Sequence, residues 1–409
     1  MSARVVVANP GSVPEIVHMA NALGVADLLR AYIAPFSPTR SELDADRFGR
    51  FGPLGKGLHD QLRRREMHEH VGRAERYRAA RAREIAVVAA LRLGFPPPVF
   101  RRLLRWRNQT FEAAVARLLQ SVDTDLIIPL TSALLPLQRA RSLGVRTWLD
   151  CSTAHHGYAT RLLTDEMRRV PDFASTMQLP VSSPAEASRM NQEIALADAL
   201  IVLSSFQMRT FVDEGVSPDR LHVLPLGVDL ELFRPTNRTR HETFTIGFVG
   251  QVTQRKGISY LIAAFEALRA EGMQLLVVGR PVGPRHPWLR EGVEHHPAVA
   301  RSALPEVYAR MDVFVLPSLS EGFPLTALEA MACGIPVIVS ENTFGRDVVV
   351  DGHNGYVVPI RDVDAIVDRV RKLASDESLR STMGIYARAT AEEFSWDAFG
   401  RRVVGLVTD

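Results

Sequence analysis

Cysteine is nearly missing from this chain: 409 residues hold two, Cys151 and Cys333. They stand far apart among small or apolar neighbours and form no C-x-x-C or other metal-ligand spacing. A disulfide framework and a thiolate metal site therefore have nothing to build on, and both read as buried thiols of a reducing compartment. Long apolar runs are missing as well. No stretch approaches the ~18 apolar residues that a membrane span needs. The opening MSARVVVANPGSVPE turns polar too early for a secretory signal, so a cytoplasmic protein is expected. Neither sign of charge dominates: the formal net charge is +3 with 46% hydrophobic residues, the balance of an ordinary globular protein. The G-x-G-x-x-G fingerprint and the P-loop pattern are absent too, which removes the main support for dinucleotide and ATPase readings.

What is present is alternation. The length exceeds what one hydrophobic core usually serves, so two domains are expected. Short β-branched runs alternate with helical patterns: RVVVAN, AYIAPF, DLIIPL, VRTWLD and ALIVLS in the first half, TIGFVG, QLLVVG, DVFVLP, PVIVS and YVVP in the second. Continuous apolar runs of this kind mark buried parallel strands, so the fold class is α/β with two doubly wound sheets. The Pro- and Gly-bearing stretch LPLGVDLELFRP, followed by polar TNRTRHET, separates the halves. The expected division is 1–228, 229–390, and a C-terminal helix in 391–409 that packs back on the first domain. Open α/β sheets bind ligands beyond the carboxyl ends of their strands, and a cleft between the halves is the expected site.

Three stretches carry chemistry. In SEGFPLTALEAMACGIPVIVS, Pro324 suits a first helical turn and Gly334 with Pro336 marks a stop, so a short helix is expected over about 324–333. Glu321 then precedes the helix and Glu329 lies within it. The helix start offers backbone N–H groups to an anion, and the carboxylates accept hydrogen bonds from a diol. In FVGQVTQRKGISYLIAAF, Arg255, Lys256 and Gly257 fall between a strand end and a helix start, where a fixed cation can neutralise a diphosphate. In LDCSTAHHGYATRLL, His155 and His156 follow a strand. Gly11 and Ser12 follow the first strand of the chain.

Together these residues resemble a known family. Glu321 and Glu329 form an E-x7-E motif, FVGQVTQRKG is similar to a G-R-L-x-x-x-K-G loop, and LHVLPLGVDLELFRP and DVVVDGHNGYVVPIRD resemble the segments between and after. The chain resembles a glycosyltransferase of the family 4 type, whose GT-B fold sets two Rossmann-like domains across a cleft. The resemblance is strongest over about 197–362 and weakest over about 37–108. It implies a nucleoside diphosphate sugar as co-substrate, UDP- or GDP-sugar foremost, with no metal and no other cofactor, and retention of anomeric configuration. By this resemblance Lys256 meets the donor diphosphate, Glu321 and His155 lie by the donor sugar, and Glu329 holds the ribose hydroxyls. Gly322, Phe323, Pro324, Leu325 and Thr326 line the turn facing sugar and phosphate, and Gly11 approaches donor and acceptor. Gln251 stands where arginine is usual in the family loop, which makes Arg255 the candidate for the missing charge. A non-catalytic nucleotide-sugar-binding protein, or a GT-B epimerase or phosphorylase, is the alternative reading.

One more segment stands out by charge. Arg63, Arg64, Arg65, Arg73, Arg76, Arg78, Arg81, Arg83, Arg92, Arg101, Arg102, Arg105 and Arg107 crowd it, interleaved with Tyr77, Phe95, Phe100, Leu103, Leu104 and Trp106. Basic amphipathic helices of this composition can lie on an anionic membrane or hold an anionic acceptor, against the plain reading of a solvated arginine face. The first reading puts a cytoplasmic protein peripherally at the inner face of the membrane; the second does not require it. Nucleic acid is not expected, since no nucleic-acid motif accompanies the charge.

Overall fold

The computed structural model describes residues 3–11, 13–36, 74–130, 132–177, 179, 183–236, 243–283 and 288–408. Ser12 and Arg63, Arg64, Arg65 and Arg73 of the basic segment lie outside these residues. The chain forms two compact units, neither continuous in sequence: one comprises Met1–Cys151, Ser188–Ile201 and Phe399–Asp409, the other Ser152–Ala187 and Val202–Ala398.

The first unit is built on β1 (Val5–Ala8), β2 (Leu29–Ala34), β3 (Glu75–Arg78), β4 (Leu126–Pro129), β5 (Arg146–Asp150) and β6 (Ala199–Val202), in the order β3-β2-β1-β4-β5-β6. All neighbours are parallel. Parallel pairing requires crossovers, and the VVVA run of β1 is buried throughout, as a strand covered on both faces must be. Its core sets Val6, Ala8, Ile33 and Ile127 against Phe111, Val115 and Leu119. Those last three recur every fourth residue, Phe111 and Val115 on helix Pro97–Leu118 and Leu119 at its end, so they form one stripe. Helix Trp396–Thr408 does likewise with Phe399, Val403 and Val407. It lies close to helix Pro14–Val25: a Cβ added to Gly400 would stand 3.0 Å from that of Ala22.

In the second unit a short strand β7 (Leu221–Val223) precedes β8 (Thr245–Val249), β9 (Gln274–Val278), β10 (Val293–His296), β11 (Val313–Leu316), β12 (Val337–Ser340) and β13 (Gly355–Val358). The last six form a parallel sheet ordered β10-β9-β8-β11-β12-β13. Strand order reverses between β8 and β11. In open α/β sheets such a switch point, beyond the carboxyl ends of the strands, is where ligands bind. The expected fold class, two doubly wound α/β sheets, is the one observed. The structure adds β3 (ERYR) and β10 (VEHH), which are polar edge strands, and the short β7. An edge strand is not packed on all sides and needs no apolar run, so hydrophobic patterning passes over it.

Both cysteines are buried, and no described helix is long and apolar enough to cross a membrane. The basic segment departs from its expectation at Arg107. That residue is buried between helices Arg81–Arg92 and Pro97–Leu118, its Nη1 3.4 Å from Glu84 Oε2, so it ties the hairpin together and does not belong to an outer basic face.

Candidate functional site

The loops that leave β8 and β11 touch because a glycine allows it. Gly257 has φ +73°, and an added Cβ there would lie 2.0 Å from the Pro317 carbonyl oxygen. Glycine alone gives both the left-handed conformation and the space. It closes the 3-10 turn Gln254–Lys256 and opens helix Ile258–Leu268. Gly250, at φ +143°, lets Lys256 fold back over it: the lysine Nζ would stand 3.4 Å from a Cβ at that position. Between the loops, the Leu319 N–H donates to the Arg255 carbonyl at 2.9 Å.

This contact brings Arg255, Lys256 and Glu321 to one point. Lys256 Nζ lies 3.2 Å from Glu321 Oε1. The Arg255 guanidinium donates to that same oxygen and, at 2.8 Å, to the Ser320 carbonyl. Burial pushes the Glu321 carboxyl up, but Lys256 and Arg255 outweigh it and hold the group below its ordinary value, so it is ionised. The Glu321 N–H donates to the Asn342 carbonyl at 3.0 Å, and Asn342 Nδ2 donates to the Leu319 carbonyl at 2.9 Å. The turn is thus fixed at both ends. Gln251 is exposed at the start of the β8 loop.

Past Gly322 and Phe323, Pro324 is the N-cap of helix Leu325–Ala332, one residue shorter at each end than the spacing suggests. The backbone N–H groups of Leu325 and Thr326 find no acceptor among the described residues, and neither does the buried Thr326 hydroxyl. One turn further on, Glu329 is buried. Its Oε2 accepts from the Tyr308 hydroxyl at 3.0 Å, and its Oε1 lies 3.4 Å from Arg301 Nη2. Burial raises the Glu329 carboxyl to about 7, although Arg301 and Tyr308 pull it down. The two glutamates therefore differ in charge state: Glu321 is a paired carboxylate and Glu329 sits at the edge of ionisation at neutral pH.

His155 is the buried N-cap of helix His156–Arg169, and its Nδ1 accepts from the Gly157 N–H at 3.1 Å. An accepting Nδ1 places the ring proton on Nε2. Burial lowers this imidazole to about 4, with His156 adding to the effect and Glu214 opposing it. The expected loop histidine is therefore a neutral helix cap with an Nε2–H donor. The stretch before it lies against the Glu321 turn: a Cβ on Gly322 would meet the Ser152 carbonyl oxygen at 2.6 Å. Three residues after His155, the Tyr158 hydroxyl accepts from Asn342 Nδ2 at 3.3 Å. Gly11 belongs to the first unit, at the end of β1, where its N–H donates to Asn9 Oδ1 at 3.1 Å.

Arg301, Tyr308, Tyr158 and Asn342 were not singled out in the sequence. Asn342 alone left a signal, a polar residue just past the apolar end of β12. Arg301 lies just before the short helix Leu304–Ala309 and Tyr308 within it, and both reach Glu329 only through tertiary packing.

The model of Glycosyl transferases group 1 matches residues 230–390, and that of Glycosyltransferase Family 4 matches 57–232. Over 232 residues the chain is 34% identical to D-inositol 3-phosphate glycosyltransferase of Xylanimonas cellulosilytica, covering 50% of this chain and 55% of that protein. Over 222 residues it is 33% identical to MMP alpha-(1->4)-mannosyltransferase of Mycolicibacterium hassiacum, covering 52% and 54%. The chain thus spans about half the length of the curated relatives it matches. Among solved structures, sucrose-phosphate synthase from Thermosynechococcus elongatus aligns over 99% of this chain and 98% of its own, with TM-score 0.65 and 19% identity. HepE of Anabaena in complex with UDP and glucose aligns over 99% of both, with TM-score 0.64 and 15% identity. The structural likenesses fix the fold and the two adjoining models cover 57–390 between them, so the chain belongs to the GT-B glycosyltransferases of the family 4 and group 1 type.

Proposed function

We propose that this protein is a retaining glycosyltransferase that moves a sugar from a nucleoside diphosphate sugar to an acceptor hydroxyl. The observation that carries the reading is the convergence of Arg255 and Lys256 with the Glu321 turn at the β8–β11 switch point, just ahead of the helix N–H groups of Leu325 and Thr326. Lys256 and those amides stabilise the charge growing on the departing diphosphate, in a place where no metal is required to do so. Glu321 and the Nε2–H of His155 orient the sugar. Glu329 accepts from the ribose diol, while Gly322, Phe323 and Pro324 bring backbone to the sugar and phosphate. Arg255 takes the charge that Gln251 lacks, and Gly11 approaches donor and acceptor. UDP is the first nucleotide to test, because HepE was solved with it; the relatives named for D-inositol 3-phosphate make a phosphorylated polyol one acceptor to include.

The test is a thermal-shift screen with UDP, GDP, ADP and dTDP, followed by incubation with labelled sugar donors. A ligand at about 100 times its Kd stabilises by roughly 2.7 kcal/mol, so one nucleotide should stand out. Slow hydrolysis of its sugar donor supports the transferase. Binding without any turnover supports a sensor instead, the reading that Gln251 favours, and no shift with any nucleotide sinks both.

We also propose a peripheral contact with an anionic membrane surface, on a separate observation. Leu91, Leu93, Phe95 and Val99 are exposed at the turn of the helical hairpin, and Trp106 is exposed beyond it with the Arg83 guanidinium 4.1 Å over its ring. Arg101, Arg102 and Arg105 flank them, also exposed. Apolar tips beside arginines suit the boundary between anionic headgroups and acyl chains. Replacing those three arginines by glutamine should abolish sedimentation with anionic vesicles at low salt. Parent protein that ignores such vesicles disproves the placement.

A further inference from the structure

Helix His156–Arg169 carries a fully buried carboxylate near its end, Glu166, at 0% exposure. A buried carboxylate persists only where donors satisfy it, and apolar packing is often as stable. Three donors meet this one. Gln254 Nε2 at 2.7 Å and the Tyr260 hydroxyl at 2.6 Å reach Oε1, and Arg361 Nε reaches Oε2 at 2.8 Å. Arg361 holds φ +69°, a left-handed backbone uncommon outside glycine. Gln254 is fully buried too. Its Nε2 also donates to Ser259 Oγ at 2.6 Å, its Oε1 accepts from the Ser259 N–H at 3.1 Å, and its own N–H donates to Thr176 Oγ1 at 2.9 Å.

Gln254 is the first residue of the turn whose third is Lys256. Every polar atom of its side chain is thus spent on fixing that turn, and one of its bonds ends on Glu166. The helix that carries Glu166 begins at the cap His155. One rigid element therefore sets the height of His155 and the position of the lysine turn together.

We propose that Glu166 is a positioning residue: through Gln254 it holds the Gln254–Lys256 turn so that the Lys256 ammonium stays at the point where the diphosphate departs. The role rests on the transferase reading above. Glu166 touches no substrate and acts only through Lys256. A displacement of about 1 Å in such a group can cost on the order of a hundredfold in rate.

Three variants separate positioning from mere packing. Glu166→Gln keeps the shape and removes the charge. Gln254→Ala cuts the link between Glu166 and the turn, together with the two bonds to Ser259, and leaves Glu166 paired with Tyr260 and Arg361. Tyr260→Phe removes one bond to Glu166 without touching the turn. Turnover should fall about a hundredfold in the first two, with donor KM little changed, and stay within about twofold in the third. A readout independent of turnover is the labelling rate of the Lys256 amine by an acylating reagent, followed by mass spectrometry. It should rise about tenfold in Glu166→Gln and Gln254→Ala as the turn loosens, and not in Tyr260→Phe. Unchanged labelling in both of the first two variants overturns the proposal, and so does an equal rise in all three. Absence of turnover in the parent protein counts against the transferase reading alone, because the labelling arm still decides the role of Glu166.

Discussion

Burial moves two side chains of the site in opposite directions, and each has a consequence that pH can read. Glu329 lies at about 7 because burial penalises its charge, so its folded value exceeds that of the unfolded chain. It binds a proton more tightly when folded, and its contribution to stability is lost as pH rises from the ordinary carboxylate range through 7. If the ribose diol donates to its carboxylate, nucleotide binding must first expel that proton. Nucleoside diphosphate affinity should then rise about tenfold per pH unit below 7 and level off above it. Calorimetry across pH 5.5–8 in buffers of different ionisation enthalpy would show the proton release; an affinity flat with pH would remove the ribose role. Glu329→Gln should weaken binding and flatten the curve together. His155 lies at about 4, below its unfolded value, so stability falls as pH drops from about 6.5 toward 4 and is steady above. A turnover profile with an inflection near 6.5 that vanishes in a His155 variant would contradict a permanently neutral Nε2–H donor. For Lys256→Ala the expected loss is a hundred- to a thousandfold in turnover, or roughly 2.7 to 4 kcal/mol. Glu321 keeps Arg255 as a partner, so the melting curve should shift little.

Among the elements, the β8 loop depends on Gly257. Gly257→Ala forces a left-handed alanine into the Pro317 carbonyl and should cost more than about 1 kcal/mol, with Lys256 displaced as the loops part. A variant with unchanged melting temperature and turnover would show that the loops approach by some other means. This element was readable because its signals are local: an apolar strand, a glycine and a helical stripe follow one another within FVGQVTQRKGISYLIAAF. The helix behind Glu321 was readable for the same reason, with Pro324 and Gly334 as its punctuation. Polar β3 and β10 were not, because an edge strand carries no apolar period. Arg107 read as surface charge, since nothing in RRLLRWRN says which arginine turns inward to Glu84. Nor could any spacing disclose Glu166 and Gln254, which meet across 88 residues of chain. Local chemistry is written locally, whereas a partner supplied by tertiary packing leaves no period to read.

At the scale of the molecule, the sequence halves and the compact units do not coincide. Residues 152–187 of the first half cluster with the second sheet, and 399–409 cluster with the first. Removing 399–408 would strip Phe399, Val403 and Val407 from the first unit, three buried side chains worth roughly 5 kcal/mol or more. Amide exchange should then accelerate in helix Pro14–Val25, while stabilisation by a nucleotide, which the proposed function assigns to the second unit, should persist. Equal loss in both units would mean that they melt as one. The same discontinuity sets a timetable during synthesis. Glu166 leaves the ribosome 88, 94 and 195 residues ahead of Gln254, Tyr260 and Arg361. At about 5–20 residues per second, its helix waits roughly 4 to 40 s for its partners. Through that interval the carboxylate keeps its water, and the nascent chain carries a charged, unfinished face whose closure is set by the pace of translation.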